Sequence, residues 1–375
     1  MVPGTKATLI HPCSPKRRHP LRWFALVPGT KATLIHRDAH NVRVSDSPRI
    51  LHAPLNIAGG PEALSAGLNA IGCESRLMVF TKQPFRDGSD INLHLRQGGG
   101  PVNLALNLPK QAWAFGRSIP DYDIFQFHFG VTIVPKRVNL PVLGKLGKGR
   151  VFHFWGSDLR DAPVSKWDYA LRHADAAVVG SYAILPRAPR AAGWPEYDVV
   201  PPGIDLESWQ PVVPQPEKVI RIVHAPSRRR SKGTDAVLEA VETLKAEGAP
   251  IELDLVENTP NDQARLRYAA ADLVIDQLNV GWYGLFSIES MALGKPCIVR
   301  LDAEAAAATE DAFGTTIPLV NADRETLTDT IRGLVREPER LTEIGRASRA
   351  YVEQVHGHVA VAERMLDVYR RRGLA

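Results

Sequence analysis

From Pro48 onward the sequence alternates short β-prone apolar runs with longer amphipathic stretches, and it does so in two successive series. That alternation predicts an α/β fold with parallel sheets, because a helix crossing between two strands returns the chain in the same direction. In the first series the strand-like runs are Arg49–Ala53, Arg76–Thr81, Asp123–Phe129, Val151–Phe154, Ala176–Val179 and Asp198–Val200. A helix is expected from Pro61 to Ile71. Proline suits its first turn, Glu62 suits its positive end, and Gly72 suits the stop. The stretch 82–100 is polar and Gly-rich and reads as loop. Residues 201–217 (PPGIDLESWQPVVPQPE) hold five prolines in 17 positions and read as a linker between domains. In the second series strands are expected at Val219–Ala225, Ile251–Val256, Asp272–Asp276 and Pro296–Arg300. Helices are expected at Asp235–Glu247, Leu285–Leu293, Arg324–Arg336 and Val359–Arg372, the last with one broad apolar stripe. The expected organisation is an extension over 1–47, domains over 48–200 and 218–355 joined by the linker, and a C-terminal helix over 356–375. Two such domains leave a cleft between the carboxyl ends of their strands, where open parallel sheets bind ligands.

Charge is unevenly placed. Residues 1–49 hold nine Lys/Arg against two Asp, so the rest of the chain carries 37 basic against 39 acidic residues. The basic balance belongs to the N-terminal stretch, which argues against nucleic acid as the partner of the body. That stretch contains VPGTKATLIH twice, at 2–11 and 27–36, with a basic-aromatic spacer between the copies. Two copies are too few for a solenoid. The apolar run WFALV is too short for a secretory signal, so the stretch reads as an irregular extension. Contact with an anionic membrane surface is its functional alternative. Three cysteines without a CxxC, and no apolar run near the ~20 residues of a membrane span, fit a cytoplasmic protein, with peripheral contact at the inner membrane face as the variant.

Two local patterns carry chemistry. The first is a strand followed by Pro226-Ser-Arg-Arg-Arg-Ser-Lys-Gly233 and a helix. Cations crowded before a helix N-terminus suit a phosphate or diphosphate, although a solvated basic turn has the same composition, and the Walker spacing is absent. The second is GWYGLFSIESMALGKPC from Gly281 to Cys297. A strand ending near Asp276 leads through a glycine loop into a helix starting near Gly284. There Gly284 permits close approach, and the amides of Leu285 and Phe286 face outward. Glu289 lies one turn on. As a surface residue it needs no explanation; turned inward it needs partners, and a ribose diol would supply two hydroxyls. No metal-ligand cluster is expected.

Taken together, four segments resemble GT-B glycosyltransferases of the GT4 type. GLFSIESMALGKPCIV is similar to their donor-site helix, VVPPGIDLESWQP to their linker strand, SRRRSKGTDAVLEAV to their R…KG phosphate loop, and HFWGSDLRD to their G-S-D segment. The resemblance spans about residues 48–372 in order and spacing. It implies a GT-B architecture, two Rossmann-like domains facing a central cleft. It also implies a transferase that moves a sugar from a nucleotide-sugar donor to a glycan, lipid or small-molecule acceptor, with retention and without metal or other cofactor.

On the resemblance, Lys232 and the arginine three residues before it, Arg229 in preference to Arg228 or Arg230, neutralise the diphosphate, and Glu289 binds the ribose. Gly284, Leu285 and Phe286 hold the phosphates, and the Gly59–Gly60 loop closes over them. Asp158 and Arg160 brace the G-S-D loop. The sequence departs from the family twice. Gly281 stands where the first acid of the E-x7-E pair belongs. Trp155 stands where a histidine often precedes the glycine, leaving His153, or His128 at another strand end, as candidates to reach the sugar. The rivals are a degenerate sugar-nucleotide-binding module and a sugar-nucleotide epimerase on the same fold.

Overall fold

The computed structural model describes residues 47–82, 88–98, 100–212 and 219–375. The duplicated decapeptide, the extension as far as Asp46 and linker residues 213–217 lie outside these. The first series forms β1 (Arg49–Ala53), α1 (Gly60–Ala70), β2 (Glu74–Val79), β3 (Ile91–Asn92), α2 (Pro101–Ser118), β4 (Ile124–His128), α3 (Lys136–Lys145), β5 (Gly149–Phe154), α4 (Val164–Arg172), β6 (Ala176–Val179) and β7 (Tyr197–Val199). The second forms β8 (Ile220–His224), α5 (Arg229–Lys232), α6 (Thr234–Ala246), β9 (Ile251–Leu255), α7 (Asn261–Ala269), β10 (Leu273–Ile275), α8 (Leu285–Ala292), β11 (Cys297–Val299), α9 (Ala303–Phe313), β12 (Val320–Asn321), α10 (Leu327–Arg336), α11 (Pro338–Val355) and α12 (His358–Arg371).

The two series make two sheets, ordered β3-β2-β1-β4-β5-β6-β7 and β12-β11-β10-β8-β9, with the paired strands parallel in both. Both faces of each sheet are covered. On the first, Phe125, Phe127, Phe152 and Phe154 enter one core, while Ile124, Val151, Ala176 and Val178 enter the other. This period of two explains why β4 and β5 read as almost unbroken apolar runs. The strand order reverses between β1 and β4 in the first sheet and between β8 and β10 in the second, and ligands of doubly wound sheets bind outside the carboxyl ends at such points.

Helix α12 belongs to the first sheet, although it ends the chain. Its Val361, Ala362, Met365, Val368 and Tyr369 share a core with Leu64 and Leu68 of α1 and with Ile50 of β1. The two helices approach so closely at Gly67 that an added Cβ would overlap the His358 carbonyl. The chain therefore crosses between the sheets twice, and the crossings are tied together: Ile204 N–H donates to the His356 carbonyl at 2.8 Å, and His358 N–H donates to the Ile204 carbonyl at 3.0 Å. The described part of the Pro-rich segment is packed on the second sheet, with Trp209 buried in its core and Val212 N–H bonded to Leu293 at 2.9 Å. Strand β3 falls inside the stretch 82–100 read as loop, α3, α4, α7, α9, α11 and β12 lie where the sequence reading assigned nothing, and so does helix α2 over 101–118. Pro109 inside it and its mostly exposed surface weaken the pattern from which helices are read.

Candidate functional site

The turn after β8 and the loop after β10 meet at the second sheet's switch point, and a buried ion pair joins them. Lys232 Nζ lies 2.5 Å from Asp276 Oδ1, in a carboxylate that is fully shielded from solvent. The other carboxylate oxygen, Oδ2, accepts from Ser287 Oγ at 2.7 Å and from Gly284 N–H at 3.1 Å. Burial by itself would push the Asp276 carboxyl up. The Lys232 ammonium, with the Ser287 and Gly284 donors, outweighs it and holds the group below its usual range. The loop before α8 is thereby fixed, and the first amides of α8, which have no partner within the helix, face the cleft with the positive end of its dipole. The arginine-rich segment forms one helical turn, closed by Gly233 at φ 76°.

Two cavities of about 270 Å³ each flank the start of α8, and Ala58 and Leu285 border both. Glu289 lies in the wall of one, with Asn261 and Arg265 of α7, Asp205 and the glycine loop. The other is walled by aromatic rings, among them Trp155, Tyr182, Trp282 and Phe313, and its one carboxylate is Asp158. Both oxygens of Asp158 accept the Trp155 amide, and Oδ1 also takes those of Gly156 and Leu159, which braces the turn as expected. His356, also in that wall, donates from Nδ1 to the Pro202 carbonyl at 2.8 Å and accepts from the Tyr283 hydroxyl at 3.0 Å. Burial pushes its pKa down to about 4. The loop before α8 is thus bonded to the crossing between the sheets.

The first sheet's switch point is built without charge. Trp155 stacks on His153 at 4.1 Å and 14° and donates from Nε1 to His128 Nδ1 at 3.2 Å. A neutral His128 then carries its proton on Nε2, which lies 3.0 Å from His52 Nδ1. His153 Nδ1 meets Gln126 Nε2 at 3.0 Å, and the Gln126 oxygen accepts the Tyr369 hydroxyl of α12. Burial pushes His52 and His153 down to about 3, and burial with the neighbouring imidazoles holds His128 well below its ordinary value. The edge of Trp155 lies over Gly60, where an added Cβ would come within 2.8 Å of the ring, and the preceding Gly59 sits at φ 79°.

The structure therefore brings Gly59, Gly60, Gly284, Leu285 and Glu289 around the two cavities, while Lys232 lines neither and reaches the loop before α8 through Asp276. Phe286, at the second position of α8, packs on Tyr268 at a centroid distance of 4.7 Å. Arg229 stands apart: it is exposed and bonded to Glu257 at 2.6 Å, away from both cavities. His153 does not reach the cleft either, because its ring is sealed beneath Trp155. The sequence reading missed Asp276 as the carboxylate that fixes Lys232, although an acid closing a buried strand signals such a partner. It also missed Asn261 and Arg265, since α7 has no clear apolar stripe. Gly281 lies at φ 78°, a backbone that disfavours any residue with a Cβ. Among the described residues no cluster of His, Cys, Asp or Glu could hold a metal ion.

No family model and no curated protein sequence matches the chain. Solved structures match it over nearly their whole length. A glycosyltransferase from Rickettsia africae is 15% identical, covering 87% of this chain and 99% of that one, with a TM-score of 0.62. HepE from Anabaena in complex with UDP is 14% identical, covering 86% and 100%, at 0.57. A protein from Listeria monocytogenes described as a candidate UDP-N-acetylglucosamine 2-epimerase is 13% identical, covering 88% and 98%, at 0.52. At these identities the likeness establishes the architecture, and the chain has the GT-B fold.

Proposed function

We propose that this GT-B chain is a glycosyltransferase acting on a nucleotide-sugar donor, with the diphosphate lying across the start of α8. The observation that carries the reading is the group at the second switch point: the first amides of α8, Lys232 held by Asp276, and Glu289 one turn further along the same helix. In this reading the nucleoside occupies the cavity walled by Glu289, with the ribose hydroxyls on that carboxylate. The sugar and acceptor occupy the aromatic cavity on the other side. Arg229 joins the diphosphate by exchanging Glu257 for a phosphate oxygen. His153 acts through Trp155, whose ring it backs.

The transfer breaks the bond between the anomeric carbon and the leaving phosphate oxygen and forms a bond from that carbon to the acceptor oxygen. The charge that develops on the phosphate is met by Lys232, Arg229 and the α8 amides, a preorganised electrostatic stabilisation that needs no metal. The acceptor proton goes to the leaving phosphate. Asp158 is the one carboxylate of the aromatic cavity and is already engaged with three backbone amides. This favours attack from the leaving-group face, hence retention, over a protein nucleophile. The likeness to HepE, solved with UDP, is consistent with a uridine donor.

The second reading is a binding module that has lost turnover, favoured by Gly281 in the place of an acid. Incubating the chain with UDP-sugars in water separates the outcomes. Slow release of UDP supports a transferase, exchange at sugar C2 an epimerase, and binding without either a degenerate module.

A further inference from the structure

We propose that α2 is an interfacial helix that docks the first domain onto an anionic lipid surface. Exposed large apolar residues are concentrated on this helix. Val102, Leu104 and Trp113 are 66%, 62% and 72% exposed, and Leu106 and Leu108 are also exposed. Val102, Leu106, Pro109 and Trp113 recur at the spacing of one helix face, opposite the line Ala114, Phe115 and Ser118 that enters the core. Polar contacts tie the first half of the helix to the loop before it: Asn107 exchanges two hydrogen bonds with the backbone of Arg96, and Asn103 donates to the carbonyls of Gln97 and Gly98. A stripe of this kind on a water-facing helix is a binding surface or a liability.

Charge selects the occupant. Helix α2 has no carboxylate, and Lys110 and Arg117 border the apolar stripe, with Arg96 in the loop beneath. Of the two acids in the preceding segment, Asp87 lies outside the described residues, and Asp90 turns inward to accept from Leu77 N–H at 2.7 Å. Apolar side chains with a tryptophan on one face, bordered by basic residues and free of acids, match a headgroup layer carrying negative lipids. Among the described residues no helix is long and apolar enough to cross a membrane, so α2 would lie along the surface. The first half of α2 lies beside Phe80 and Thr81, which follow the carboxyl end of β2.

The test is co-flotation of the full chain with vesicles of mixed phosphatidylglycerol and phosphatidylcholine, against phosphatidylcholine alone. The wild-type chain is expected to float with the mixed vesicles, less so in high salt. The double variant Leu106→Ser/Trp113→Ser is expected to lose roughly tenfold or more of that binding while keeping its melting temperature, since both side chains are exposed. Lys16→Gln/Arg17→Gln/Arg18→Gln, which removes charge from the N-terminal stretch, is expected to keep most of it. The proposal is overturned if the wild-type chain ignores anionic vesicles, or if the double variant binds as well as wild type. It is also overturned if the triple variant alone abolishes binding. A dimer in solution that the double variant dissociates overturns it too, by assigning the stripe to a second copy.

Discussion

The two switch points face the same cleft and are made of opposite materials. On the second sheet a buried lysine-carboxylate pair and the open end of a helix present positive charge. On the first, three neutral imidazoles and an indole form a stacked wall. Topology places both, since each lies where β-strand order reverses, but the side chains divide the work. The second holds the site's fixed cation, while the first holds shape and excludes charge. A cation fixed by a fully buried partner cannot drift from the helix end, and a wall of rings with depressed pKa values adds no competing charge on the other side of the cleft.

The largest expected effect tests the charged side. Lys232→Ala leaves Asp276 buried without its counter-ion and should destabilise the chain by about 3–5 kcal/mol in denaturant unfolding. Lys232→Met combined with Asp276→Asn should recover most of that loss. A single-variant loss near zero would mean that the pair is not the anchor of this loop.

The neutral side is broken by acid instead. Folded His52 and His153 have pKa values near 3, whereas the ordinary value is 6.5, so between these the unfolded chain binds more protons than the folded one. Their stabilising contribution is therefore complete above pH 6.5 and is lost progressively as pH falls toward 3. The slope is roughly 1.4 kcal/mol per histidine per pH unit. Melting temperature should fall steeply below pH 6.5, and His52→Phe should flatten the slope. A flat profile from pH 7 to 5 would show that the stack is already charged or solvated.

A smaller effect sharpens how the wall meets the glycine loop. Gly60→Ala places a Cβ against Trp155 and should cost about 1–3 kcal/mol. Trp155→Phe in the same chain should relieve part of it, and the coupling in a double-mutant cycle measures the contact. The smallest effect on stability belongs to Arg229. Arg229→Ala should leave the melting temperature unmoved, because its ion pair with Glu257 is exposed, yet weaken nucleoside diphosphate binding tenfold or more. Arg228→Ala serves as the control and should do neither.

The charged side was more legible in the sequence than the neutral one. Lys232 and Glu289 sit in two separate strand-loop-helix segments, after β8 and after β10, and it was the resemblance, not spacing, that joined them into one site. Arg229 shared the motif but not the destination, because the choice among three consecutive arginines is made by Glu257, a partner 28 residues away. His153 looked available at a strand end. Only the fold shows that Trp155, two residues on, bends back over it. Helix α12 was visible as an apolar stripe, but its return to the first sheet depends on the close approach at Gly67, which no local pattern announces. Helix α2 was hidden for the opposite reason, since only Ala114, Phe115 and Ser118 near its end are buried and apolar residues also stand on its exposed surface.

The measurement that bears most directly on the division of roles is a thermal-shift panel of UDP, GDP, ADP and dTDP on the wild-type chain and on Arg229→Ala. At 100 times its Kd, a diphosphate that binds the folded chain alone adds about 2.7 kcal/mol of stability. The expected result is a clear rise with at least one of the four in the wild type, a smaller rise with the same compound in Arg229→Ala, and none with the corresponding nucleoside. No rise with any diphosphate, or an equal rise with the bare nucleoside, would contradict the assignment of the α8 end as the diphosphate site.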